Sequence, residues 1–196
     1  MPVTPQRILE LEARTRCEAD ALVAELGLEA TLSAIGSPTR VGSSALGVMV
    51  RRDVDITVTC SELDRETHAA VSRLGAELAL HEQVREVRFR DDTGRWNTDP
   101  KYPDGLYLHV RCRDTADREW TLDIWFVDEP ERQPDLAHLR SLAPRLDDAA
   151  RAAIVTIKHE LATRPEDPIA SYEVYRAVLD HGVRTPEDFD AWRQRG

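Results

Sequence analysis

Val41-Gly42-Ser43-Ser44-Ala45-Leu46-Gly47, followed by Val48-Met49-Val50-Arg51-Arg52 and then Asp53-Val54-Asp55-Ile56-Thr57-Val58-Thr59, is the stretch on which the fold turns. Its last seven residues alternate as a half-buried strand does. Alternate residues of a strand share a face, so Asp53 and Asp55 project together while Val54 and Ile56 pack into a core. Two carboxylates side by side repel, and keeping both ionised at neutral pH is unfavourable without a cation between them. Mg²⁺ suits such a place, because it takes oxygen ligands, keeps several waters and is completed by substrate phosphates. Just upstream, a short strand Arg40-Val41-Gly42 reaches a turn at Gly42-Ser43. Glycine lets a phosphate approach the backbone, and a serine hydroxyl with exposed N–H groups donates hydrogen bonds to it.

Working outward, residues 5–26 place Ile8, Leu9, Leu11, Cys17, Ala21, Leu22 and Leu26 mostly three and four apart, which predicts an amphipathic helix. Gly27 and Gly36-Ser37-Pro38 punctuate the chain beyond it. After the acidic strand, Ser61 followed by Asp64 resembles an N-cap arrangement, and Ala69, Val71, Leu74, Leu78 and Leu80 continue with helical spacing. Val87 and Phe89, then Leu106, Leu108, Val110 and Cys112, alternate with polar residues and predict two strands. Between them, Asp91 to Gly94 and Asn97 to Gly105 are rich in turn formers and read as a loop placed to overhang a site. A further strand puts Trp120, Leu122, Ile124 and Phe126 on one face and Thr121, Asp123 and Trp125 on the other. If it lies beside the Asp53–Asp55 strand, three carboxylates converge, enough to bridge two metals. From Asp147 the period is helical to Arg164, with Pro165 as the stop, and Asp167-Pro168 and Thr185-Pro186 read as N-caps with proline at the first helical position.

The order of these features resembles the nucleotidyltransferase superfamily typified by DNA polymerase beta. Members share a hydrophobic-Gly-Ser turn, a gap of around ten residues, an Asp-hydrophobic-Asp pair and a later Asp inside an apolar strand. Here those features are Gly42-Ser43, the gap 44–52, Asp53-Val54-Asp55, and Leu122-Asp123-Ile124, so the resemblance covers roughly residues 30–128. It implies an α+β fold, a small mixed β-sheet flanked by helices over residues 1–145, with a C-terminal helical annex over 146–196. It also implies metal-dependent transfer of a nucleoside monophosphate from an NTP, ATP first among them, with release of pyrophosphate. By that resemblance Asp53, Asp55 and Asp123 hold the metal, Mg²⁺ or Mn²⁺, and Asp123 helps activate the acceptor hydroxyl. Ser43 contacts the terminal phosphates, and Gly42, Ser43 and Ser44 together with Lys158 form the candidate phosphate-binding set. The C-terminal helices are loosely similar to the helical lobes of antibiotic nucleotidyltransferases, from which Lys158 and His159 would reach phosphates or acceptor and Tyr172 and Tyr175 would line the wall. Lys158 reads equally well as an ordinary solvated helix lysine.

Composition narrows the acceptor. The 196 residues carry 26 Lys and Arg against 36 Asp and Glu, a formal net charge of −10, which disfavours an extended nucleic-acid track while allowing a local basic cleft. A small-molecule acceptor, its hydroxyl or phosphate taking the nucleotide, is therefore the first expectation. A toxin–antitoxin-type module acting on a protein or tRNA partner, or a non-catalytic interaction module of the same fold, is the alternative. The oligomeric state is open. No apolar run of membrane-spanning length and no secretory layout at Met1 to Pro5 is present, so the expected location is cytoplasmic. Cys17, Cys60 and Cys112 form no Cys-x-x-Cys pair, and the six histidines show no metal-ligand spacing, His109 being the one near Asp123. Gly42 to Gly47 lacks the Lys-Ser/Thr ending of a P-loop and the Gly-x-Ser-x-Gly elbow of an esterase. Asp123 has a structural alternative, an ion pair with Arg111 or Arg113, and Arg51 and Arg52 could serve either phosphates or carboxylates.

Overall fold

The computed structural model describes residues 5–164 and 169–195, so the stop expected at Pro165 and the cap expected at Asp167-Pro168 lie outside the described residues. The acidic strand forms as its alternation predicts: β2 (Asp53–Thr59) buries Val54, Ile56 and Val58 and leaves Asp53 and Asp55 half-exposed. β1 (Ser37–Val41) runs antiparallel to it, and β5 (Glu119–Val127) runs parallel on its other side. β4 (Gly105–Arg113) and β3 (Val84–Asp92) follow, each antiparallel to its neighbour, giving a mixed five-stranded sheet in the order β1-β2-β5-β4-β3. The one parallel pairing matters most, because its register sets Asp55 directly opposite Asp123 and Asp53 opposite Thr121.

One face of the sheet is dry. The apolar stripes of α1 (Pro5–Glu25), α2 (Leu28–Ser33) and α4 (Arg65–Ala79) supply Leu22, Leu28, Leu32, Leu74 and Leu78 to a core that includes Val54, Ile56, Leu108, Leu122 and Ile124. α4 is capped by Asp64, whose carboxylate accepts from the Thr67 N–H at 2.9 Å, and not by Ser61. The chain is still bound to the sheet at that point, since Cys60 N–H donates to the Val127 carbonyl and Leu63 N–H to Asp128. Leu80 sits past the end of α4 and is 87% exposed, so the stripe stops at Leu78. Between β4 and β5, buried Asp114 fixes the turn by accepting from the N–H groups of Ala116 and Arg118 and from Arg118 Nε and Trp120 Nε1.

A second apolar cluster joins α5 (Pro134–Leu142), α6 (Asp148–Leu161), α7 (Ser171–His181) and α8 (Pro186–Arg193) through Leu142, Ile154, Ile157, Val174, Val178 and Phe189. Ile8 of α1 and Leu46 and Val48 after β1 pack into it, which ties these helices to the sheet. Asp147, where the helical period begins, caps α6 by accepting from Ala150 N–H, and the cap expected at Thr185 is made, accepting from Asp188 N–H. Among the described residues no helix is long and apolar enough to cross a membrane.

Candidate active site

Gly42 does not end β1 in an extended conformation. It opens a five-residue helix, α3 (Gly42–Leu46), with φ of +63°, a conformation that glycine adopts without a steric penalty. A Cβ at this position would stand 2.1 Å from Asp55 Oδ2, so the absent side chain is what lets the turn close onto the acidic strand. Turn and carboxylates are one construction.

One carboxylate oxygen from each of Asp53, Asp55 and Asp123 lies within 4.8 Å of the others. Burial, with Asp53 and Asp123 beside it, pushes the Asp55 carboxyl up to about 8. Burial raises Asp53 as well, against the hydrogen bond that Thr121 donates to its Oδ1 at 2.6 Å. Three hard oxygen donors held this close, half-exposed and mutually repelling, fit a divalent cation such as Mg²⁺.

Asp123 is positioned from β4. Tyr107 donates its hydroxyl to Asp123 Oδ1, and His109 Nδ1 lies 2.8 Å from the same oxygen. Arg111 pairs with Glu86, and Arg113 with Asp117 and Glu119, so neither arginine holds Asp123. Burial and the bond to Asp123 raise the Tyr107 phenol and keep it a donor.

On the other side, Lys158 of α6 is buried, with 7% of its surface exposed, and is not a solvated surface lysine. Its Nζ donates to Ser43 Oγ at 2.7 Å, to the Val48 carbonyl at 2.9 Å and to Tyr175 OH at 3.4 Å. Burial lowers its ammonium to about 8, with Asp55 acting in the opposite direction. Ser44, by contrast, donates its hydroxyl to the Val41 carbonyl inside the turn. Tyr172 stacks on His138, with ring centroids 4.4 Å apart, while Tyr175 stands beside Ser43.

The chain has the nucleotidyltransferase fold. It superposes on crystal structures of the Cid1 poly(U) polymerase: on the form bound to MgATP with a TM-score of 0.63 at 16% identity, covering 89% of this chain and 54% of that one. A second Cid1 structure, described for its RNA terminal uridylyl transferase activity, aligns with a TM-score of 0.60 at 17% identity over 89% and 51% of the two chains. The chain thus spans about half the length of these neighbours. No protein-family model and no curated protein sequence matches it.

Around the acidic centre lie residues that the sequence did not single out. Asp135, in the first turn of α5, is a fourth acid close enough to raise Asp55, and burial, with Asp123 nearby, raises its own carboxyl. Tyr107 and Thr121 were readable only as strand residues two positions from His109 and Asp123. A cleft running from Ser43, Arg51 and Asp53 to Lys158, Ile169 and Val174 separates the sheet from α6 and α7. The expected loop borders a hollow of its own: Asp104 accepts from Gly94 N–H and Asn97 Nδ2, and Trp96 and Tyr102 line that hollow together with Trp125, Arg90 and Asp135. Arg90 lies over both the Tyr107 and Trp125 rings.

Proposed function

We propose that this chain is a metal-dependent nucleotidyltransferase that moves the nucleoside monophosphate of an NTP onto a hydroxyl of RNA, releasing pyrophosphate. The observation that carries the reading is the convergence of Asp53, Asp55 and Asp123 beside the Gly42-Ser43 turn. Asp53, Asp55 and Asp123 would hold Mg²⁺ or Mn²⁺. When bound, the cation neutralises phosphate charge and lowers the pKa of an acceptor hydroxyl.

The remaining work falls to the chain. Ser43 Oγ and Lys158 Nζ, already 2.7 Å apart, would share the terminal phosphates, with Tyr175 bracing both. Tyr107 and His109 lock the Asp123 carboxylate so that it can orient the acceptor hydroxyl. The acceptor oxygen bonds to the α-phosphorus as the bond to the bridging oxygen of the β-phosphate breaks, and the hydroxyl proton leaves by way of Asp123. Such transfers depend mainly on positioning and charge neutralisation, which these groups supply. Residues 146–196 act here as an annex closing the NTP cleft over the core of residues 1–145, because Lys158 and Tyr175 both belong to it.

Size and charge suggest a small-molecule acceptor, but the structural neighbour Cid1 is a poly(U) polymerase with RNA terminal uridylyl transferase activity, and RNA is the acceptor favoured. Incubating the protein with Mg²⁺, a short RNA and each of the four NTPs tests this on a sequencing gel, with pyrophosphate assayed in parallel. Extension of the RNA by at least one NTP, lost in Asp55→Asn, is expected. Absence of extension and of pyrophosphate with all four would overturn it.

A further inference from the structure

The acid-rich chain gathers arginine in one place. Beside the triad, a groove where the segment before β2 meets β3, β4 and β5 is lined by Arg51, Arg52, Arg85, Arg111 and Arg113, with Glu119 the one acidic residue among its lining. Three of the five guanidinium groups have carboxylate partners: Arg52 with Glu18 at 3.6 Å, Arg111 with Glu86 at 3.4 Å, and Arg113 with Asp117 and Glu119. Arg51 and Arg85 have no ion pair among the described residues, and all five side chains reach solvent. Folding has therefore placed like charges together with only partial compensation, in a molecule of net charge −10. That excess is a binding opportunity for an anion.

The groove also opens onto the site. Arg51 lines both it and the cleft that holds Ser43, Asp53 and Lys158. Thr121, in its floor, donates to Asp53, and Arg111 sits opposite Thr121 in the next strand. An anion lying on the arginines thus has one end at the Asp53 edge of the triad. The cations come from three separate segments, Arg51 and Arg52 before β2, Arg85 of β3, and Arg111 and Arg113 of β4, which suits a chain of phosphates better than a single phosphate. The lining offers no exposed aromatic platform, since Trp120 is buried, so the groove is built to hold backbone and not to read bases.

We propose that this arginine groove binds the phosphodiester backbone of a single-stranded RNA acceptor immediately upstream of the hydroxyl presented to the triad. The proposal rests on the RNA-directed reading of the site and adds to it the path of the strand. The chain's net charge of −10 restricts the contact to a short segment, with affinity that is tolerant of sequence and steeply dependent on salt.

Fluorescence anisotropy with a 5′-labelled 12-nucleotide RNA, measured across a salt series on wild type, Arg85→Ala/Arg111→Ala and Arg85→Lys/Arg111→Lys, tests it, with thermal melting as a control. The alanine pair is expected to weaken RNA binding about tenfold or more and to flatten the slope of log K against log salt by about 1.4, roughly 0.7 per lost phosphate contact. Calorimetric binding of Mg·NTP should be unchanged, and RNA extension should show a raised KM for RNA with kcat kept. The lysine pair should restore the salt slope. If wild type extends RNA but the alanine pair binds it with unaltered affinity and slope, the groove is refuted and the transferase reading stands. If wild type binds Mg·NTP yet neither binds nor extends RNA, the groove and the RNA acceptor fall together.

Discussion

At the residue scale, the account rests on two ionisable groups that burial pushes toward their neutral forms. Asp55 is pushed up to about 8 by burial and by its two acidic neighbours. An acid whose folded pKa exceeds its unfolded value keeps its proton on folding, so metal-free protein should lose stability as pH rises from about 4 to about 8. Differential scanning calorimetry in EDTA is expected to show the wild-type Tm falling through that window, and Asp55→Asn falling less and melting above wild type at pH 8. A variant that melts lower at that pH would contradict the repulsion. Lys158 has the opposite sign. Burial lowers its ammonium to about 8, so the charge is present below that pH and NTP affinity should decline as pH passes it, while the empty protein gains stability from about 8 to about 10.5. Lys158→Met should weaken NTP binding roughly 10–100-fold, the worth of a charged hydrogen bond of about 1.5–3 kcal/mol, and abolish that alkaline decline. A titration showing equal affinities at pH 7 would remove Lys158 from the phosphate site.

At the element scale, two turns do work that no strand does. Gly42→Ala should cost about 1–2 kcal/mol for the left-handed backbone, a Tm loss of about 2–8 °C, and should displace Asp55 by the collision at its Oδ2. Loss of Mg²⁺-dependent nucleotide binding beyond what the melting shift explains is the expected signature. The β4–β5 turn gives the contrasting case: Asp114→Ala strands the Trp120 indole and Arg118, and should cost about 1–3 kcal/mol while turnover at 20 °C persists. Legibility in the sequence divides along the same line. β2 and β5 could be read because alternation is local, and the order of Gly42-Ser43, Asp53, Asp55 and Asp123 marked the centre. The adjacency of Asp55 and Asp123 could not be read, because a parallel pairing joins residues far apart in the chain. Asp64 outcompeted Ser61 as a cap because the sheet still held Cys60, and Gly42 left the strand for a left-handed turn; both outcomes depend on contacts beyond the local pattern.

At the scale of the whole molecule, the sheet supplies the acids and the C-terminal helices supply Lys158 and Tyr175, so the site depends on the packing between them. That packing is apolar: Ile154, Ile157, Val174, Val178 and Phe189 form one cluster with Ile8, Leu46 and Val48. The burial of Lys158 follows from it, which explains why a residue that the sequence left as either a phosphate ligand or a solvated helix lysine is enclosed beside Ser43. Phe189→Ala should cost about 3–5 kcal/mol and weaken NTP binding without touching any proposed ligand, as read by melting and titration together. An unchanged affinity in a destabilised variant would show that α8 does not support the cleft. The central claim, that the three acids and a divalent cation make one nucleotide site, is tested most directly by calorimetric titration of ATP, GTP, CTP and UTP with and without Mg²⁺, on wild type and on Asp55→Asn. The account predicts binding of at least one nucleotide to wild type only when Mg²⁺ is present, and none to the variant. Binding that ignores Mg²⁺, or that survives Asp55→Asn unchanged, would contradict it.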